Sequence, residues 1–269
     1  MKMIDRTLIR RKKGLKLNKP ILVVGLPGIG NVGKLVAEHL KREFKAEKIG
    51  TLYSPHFPHQ VVMLKNGGVR IVNNRFYLIK AKKQGSDIVI LTGDAQAVSP
   101  EGQYEVNAKI VDFFKNGLGG KFIYTIGGYS LGEAIPAKPR VFGNASSKSV
   151  IASFKGTDVI FGKSKGIIWG SAGLIVAFAK MQKIDAVCLM GETSFLDVDA
   201  SAAKSVIIQL AKRLDLSVDT ANLDRIIERT AKALRELERQ AGGMMPGGQQ
   251  APYQYQPPDK DERSPSYIR

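Results

Sequence analysis

A chain of 269 residues, 43% hydrophobic and 24% charged, has the make-up of a globular protein with a sizeable core, in one large α/β domain or two small ones. One cysteine, Cys188, excludes an internal disulfide framework, and the longest apolar run, residues 166–179, is short of the roughly 20 residues of a membrane span. The net charge of +17 is densest in the first twenty residues and elsewhere lacks interleaved aromatics, so it reads as a lysine-rich solvated surface.

The basic opening followed by "PILVVGLPGIG" imitates a signal peptide. It reads better as strand, turn and helix start, and the chain is expected to be soluble and cytoplasmic, with no membrane contact. "PILVVG" (20–25) predicts a buried strand, "GNVGKLVAEHLKREF" (30–44) a helix and "AEKIGTLYS" (46–54) a further strand. In residues 60–82 the turn-prone "NGG" and "NN" separate three short β-rich runs, which predicts an antiparallel meander added to the sheet. The alternation of strand and helix then resumes with "DIVILTG" (87–93), a helix over 100–119 opened by Pro100, and "KFIYTIGG" (121–128).

The Gly-, Ser- and Lys-rich stretch 129–165 reads as loops with a short hairpin. "SAGLIVAFAKMQ" (171–182) predicts a buried helix, "IDAVCLMGE" (184–192) a strand, and 199–214 a helix capped by Asp199. A last helix is predicted from Asp219 to about Gln240, with Leu223, Ile227, Leu234 and Leu237 on one stripe. Those four residues are candidates for an oligomer interface, and packing of the stripe on its own domain is the equal alternative. Residues 241–269, rich in Gly, Pro and Gln, are expected to be disordered, because they have too little apolar surface to offset the entropy of ordering.

"GLPGIGNVGKL" (25–35) carries two nucleotide motifs at once. Gly28, Gly30 and Gly33 spell the dinucleotide fingerprint, but the next strand ends without the acid that would hold a ribose. Gly28 through Lys34 spell most of a phosphate-binding loop, but Leu35 stands where a Ser or Thr would hold magnesium. A tight strand-to-helix turn is the simpler reading. Asp94 and Glu192 each follow a strand-end glycine, with Gln96 and Glu133 in comparable loops. With the glycine turn they form an alternative ligand or enzyme site at the sheet edge. No catalytic constellation joins them. His56 and His59 make a weak H-x-x-H without a third ligand, so no metal or cofactor is expected. Nucleic-acid binding through the basic N-terminus is a further alternative.

The order of "ILVVGLPGIGNVG", "ILTGDAQ", "YTIGGY", "GSAGLIVAFAKMQKIDAVCLMGETSF" and "DVDASAAKSVIIQLAKRL" resembles the archaeal proteasome-assembly chaperone homologues, in the family of the second eukaryotic proteasome-assembling chaperone. The resemblance spans about residues 15–240. It implies a single three-layer α/β/α domain with a mixed sheet, similar in topology to nucleoside-phosphorylase-like folds, with a C-terminal helix and a flexible tail. It also implies a non-enzymatic homo-oligomer that associates with the 20S proteasome. Some family members resemble activators whose tails end in a hydrophobic-Tyr-X motif and dock between α-subunits. Here the end reads Ser266-Tyr267-Ile268-Arg269, so Tyr267 takes the hydrophobic place and Ile268 the tyrosine place. Tyr267, Ile268 and Arg269 are the candidate partner-binding residues.

Overall fold

The computed structural model describes residues 4–81, 85–130, 138–163, 166–193 and 198–242, with the backbone alone over 234–242. The chain begins with β1 (Leu8–Arg11), β2 (Ile21–Val24), α1 (Val32–Glu43) and β3 (Glu47–Tyr53). It continues through β4 (Val61–Met63), β5 (Val69–Ile71), β6 (Asn74–Ile79), β7 (Ile88–Gly93), α2 (Pro100–Asp112) and β8 (Phe122–Tyr129). Then follow β9 (Val141–Ala145), α3 (Lys148–Ala152), β10 (Val159–Phe161), α4 (Ser171–Met181), β11 (Asp185–Glu192), α5 (Ala200–Leu214) and α6 (Ala221–Gly242).

Nine strands form one mixed sheet in the order β1-β3-β6-β7-β2-β8-β11-β9-β10. The centre, β7-β2-β8-β11, is parallel, as expected for apolar runs separated by helices. Alternate residues of these strands feed two cores. Leu22, Val24, Val89, Leu91 and Ile123 pack on one face with residues of α2 and α4, and Val23, Ile90, Tyr124, Val187 and Leu189 on the other with α1 and α5. A sheet buried on both faces in this way is the three-layer α/β/α arrangement expected from the sequence.

Local chemistry sets the helix ends. The Ser99 hydroxyl accepts from Gly102 N–H at 3.0 Å ahead of Pro100, and the Asp199 carboxylate accepts from Ala202 N–H at 2.9 Å. The α5 helix stops where Asp215 takes the left-handed conformation, φ +51°.

Two expectations are corrected. The runs in 60–82 do not form one meander on the sheet: β4 and β5 pair only with each other, and β6 alone joins the sheet. Both edges of β6 are already taken by β3 and β7, so β5 has no partner edge there. The segment after residue 138 holds no hairpin either. β9 and β10 are parallel, because α3, capped by the Ser147 hydroxyl, carries the chain back to the start of the next strand. The predicted burial of 171–182 is half met: Ser171, Ile175 and Ala179 are buried, while Ala177 and Met181 are exposed.

The described residues up to Ile227 form one compact unit, and the described residues from Glu228 onward belong to a second. Within the first, Leu223 is 1% exposed in the α1–α5 core, and Ile227 packs partly against the same cluster. The surface of Leu223 is spent inside its own domain, as in the alternative given above for the stripe. The His39 ring nitrogen Nε2 lies 2.9 Å from the Asp219 carbonyl and ties α1 to the approach to α6. Burial pulls the His39 pKa below 6.5, against the opposing effect of the Asp219 carbonyl and Glu43. The side chains of Leu234 and Leu237, Glu133 and the tail with Tyr267, Ile268 and Arg269 lie outside the described residues.

Candidate functional site

The carboxyl ends of β2, β7, β8 and β11 gather along one sheet edge, where ligands of open α/β sheets usually bind. A cavity of 770 Å³ opens there, lined in part by Gly28, Gly33, Ile126, Tyr129, Ile168 and Trp169. Its floor is built by Gln96, which follows β7. The Gln96 amide donates to the Pro27 carbonyl at 2.7 Å and accepts from Ser171 N–H at 2.8 Å. One side chain thus ties the glycine turn to the first residue of α4. Gly170, at φ +73°, gives it room: a Cβ there would stand 2.5 Å from the Gln96 amide oxygen.

The glycine motif is explained by packing. A Cβ on Gly33 would stand 2.5 Å from the Ile126 carbonyl oxygen, so glycine lets α1 lie directly on β8. Gly30, at φ +61°, is buried, and a Cβ there would stand 2.6 Å from the Thr193 hydroxyl. Its carbonyl accepts from Asp199 N–H at 2.8 Å, joining the turn to the cap of α5. Gly28 differs: it is exposed, its backbone is extended, and the nearest atom to an added Cβ is 3.7 Å away.

The structure does not assemble the two strand-end acids with these glycines, and neither Asp94 nor Glu192 lines the cavity. Asp94 accepts a forked pair of hydrogen bonds from Arg70, with Nη2 at 2.9 Å, another from Arg75 at 3.0 Å, and Asn73 N–H at 3.0 Å. Burial alone would raise its pKa, but these donors hold it below the usual carboxylate value. Glu192, 3% exposed, is held by Arg140, whose Nε donates at 2.8 Å and whose backbone N–H donates at 3.1 Å. The Arg140 hydrogen bonds outweigh the cost of burial and keep the Glu192 pKa low. Each acid is committed to an arginine, so neither Asp94 nor Glu192 is a free base for proton transfer.

The cavity is therefore apolar in character. Its described lining includes no carboxylate, imidazole, thiol, lysine or arginine. That described lining offers neither cations for a phosphate nor a general acid–base pair. A wider opening of 1080 Å³ at the opposite, amino-terminal strand edge does carry cations, Lys19, Lys80, Lys121 and Arg213, and its described lining includes none of Gly28, Gly30, Gly33, Asp94 and Glu192. Lys80 there is already engaged, donating to Asp87 at 2.9 Å.

The remaining candidates are structural. Cys188 is fully buried and its thiol is pushed up to about 11 by burial. His56 pairs through Nε2 with Glu105 at 3.0 Å. Among the described residues no three His, Cys, Asp or Glu side chains converge as metal ligands would, and no helix is long and apolar enough to cross a membrane. Sequence reasoning missed the arginine partners Arg70, Arg75 and Arg140, which lie 24, 19 and 52 positions from their acids and leave no local signal. It also missed Trp169, 80% exposed at the cavity rim.

Kinship decides what kind of protein this is. The sequence profile of the PAC2 family matches residues 22–240. The chain belongs to the PAC2 family. This PAC2 chain is 33% identical over 255 residues, 94% of its own length and 96% of the relative's, to the uncharacterized protein MJ1210 of Methanocaldococcus jannaschii. Its structure is similar to that of Pyrococcus furiosus PbaB, described as an archaeal proteasome activator, with a TM-score of 0.82 and 37% identity over 87% of this chain and 100% of PbaB. PbaA of the same organism, described as an archaeal homolog of proteasome-assembly chaperone, shares the fold at a TM-score of 0.73 and 24% identity, covering 89% of this chain and 94% of PbaA. The protein is thus a homologue of proteasome-assembly chaperones and activators.

Proposed function

We propose that this PAC2 protein is a non-enzymatic, homo-oligomeric proteasome-associated factor that contacts the α-subunits of the 20S particle through residues 243–269. The observation that carries the reading is the likeness to PbaB over the whole of that chain at 37% identity. The chemistry of the sheet edge agrees with it, because the acids that an enzyme would use are each neutralised by arginine. Tyr267 and Ile268 supply an aromatic and an aliphatic anchor next to Arg269, on a tether of low apolar content. Such anchors suit pocket docking, and several tails on one oligomer would raise avidity, since each later tail binds at high effective concentration.

A pull-down on purified 20S particles compares the full chain with one cut before Tyr267. The full chain is expected to be retained and the cut chain lost. Equal retention of both, or of neither, would overturn tail docking.

A further inference from the structure

The helix α4 presents a mismatch between sequence and packing. From Gly166 to Ala179 the chain has no charged residue, and a helix that is apolar all round belongs inside a core. In the folded chain only the stripe Ser171, Ile175 and Ala179 is buried. The opposite side is bare: Met181 is 78% exposed and Ala177 is exposed. The apolar surface extends onto its neighbours. Tyr104 on α2, 60% exposed, packs edge-on against Phe178 of α4, with ring centroids 5.5 Å apart. Ile167 and Trp169, just ahead of the helix, are 77% and 80% exposed.

We infer that this α2–α4 face is the interface between copies of the chain. The inference rests on the homo-oligomeric reading above and names its surface. At ~150–250 Å² per large side chain, with the aliphatic pair at the low end, the exposures of Trp169, Tyr104, Met181 and Ile167 leave about 500–600 Å² of apolar surface open. Buried on both partners it exceeds the ~1,000 Å² that a specific interface needs. Charge points to the same occupant. At a net charge of +17 two copies repel over most of their surface, whereas this face carries both signs, the exposed Glu101 of α2 and Lys180 of α4, beside the uncharged run 166–179, so two copies meet there with less opposition of like charges. An interface with the composition of a core is also the kind found in permanent homo-oligomers, the commonest soluble assemblies.

The test reads mass in solution. Light scattering on the wild-type chain is expected to give a multiple of 29.3 kDa. The double variant Ala177→Arg, Met181→Glu is expected to run at the monomer mass, with a circular dichroism spectrum unchanged from wild type. As a control, Met63→Glu alters the other exposed apolar element, the β4–β5 hairpin, where Met63 is 86% exposed, and is expected to keep the wild-type mass. An oligomeric wild type whose α4 variant keeps its mass overturns this surface alone. A monomeric wild type overturns the homo-oligomer as well, and dissociation by Met63→Glu alone moves the interface to the hairpin.

A second measurement does not depend on a disruptive substitution. Met181→Cys introduces an accessible thiol, while the native Cys188 is buried and inert. Maleimide labelling is expected to slow at least tenfold as the protein concentration rises through assembly. Labelling at the rate of a free thiol at every concentration, or equal protection at every concentration in a chain that runs at the monomer mass, would overturn the proposal. The second result would mean that the chain covers its own helix.

Discussion

Gly33 and Gly28 belong to the same motif, yet the structure assigns them opposite sensitivities to an added methyl group. At Gly33 the new Cβ would stand 2.5 Å from the Ile126 carbonyl oxygen and 3.1 Å from the Leu26 carbonyl oxygen, both backbone atoms. An ordinary contact begins near 3.4 Å, so α1 or β8 must shift by about 0.9 Å, and overpacking of this kind costs about 1–3 kcal/mol. Alanine recovers up to ~1 kcal/mol through its helix propensity. The clash is with two rigid backbones, so it prevails, and Gly33→Ala is expected to lose about 1–2 kcal/mol. Gly28→Ala meets nothing within 3.7 Å on an extended backbone and is expected to stay within ~0.5 kcal/mol of wild type. Urea unfolding of the two variants beside wild type measures the difference at unchanged slope. A Gly33→Ala protein as stable as wild type would refute the close-packing account of the motif. So would a Gly28→Ala protein equally weakened.

The other expectations concern groups the fold has buried. Arg140→Ala leaves the Glu192 carboxylate, 3% exposed, with the Arg140 backbone N–H as the remaining donor of this set, and is expected to cost about 2–4 kcal/mol by chemical denaturation. Because the folded pKa of Glu192 is depressed, the pair stabilises the protein above the ordinary glutamate pKa and loses that effect as pH falls through the folded value. Stability of Arg140→Ala should therefore fall less steeply under acid than that of wild type. His39 has a lowered folded pKa, so the fold favours its neutral form. Its contribution is complete above pH 6.5 and declines as pH drops below that value, so His39→Gln is expected to flatten the melting-temperature profile between pH 7.5 and 5. Leu223→Ala removes a side chain 1% exposed in the α1–α5 core and should cost about 2–4 kcal/mol while leaving the oligomer mass unchanged at temperatures where the chain is folded. A change of mass without loss of stability would place Leu223 at a subunit contact.

Much of the architecture is determined by local sequence alone. The runs at 21–24, 88–93, 122–129 and 185–192 are mostly apolar at both odd and even positions, which suits strands buried on both faces. Ser99 with Pro100, and Asp199, mark helix starts through bonds that reach only three residues ahead. The failure of both nucleotide motifs was also legible, since Leu35 and the missing acid are positions in the chain.

Tertiary structure decided what depends on edges and partners remote in sequence. β5 reads like β6, but both edges of β6 are taken by β3 and β7, and no local pattern records which edges are occupied. Asp94 and Glu192 looked alike as candidate bases until folding brought arginines to each, which turned two titratable groups into fixed ion pairs. Composition determined that α4 is a helix to be buried. Only the packed chain shows that one stripe of it is covered by its own domain, because burial is a property of neighbours in space and not of neighbours in sequence.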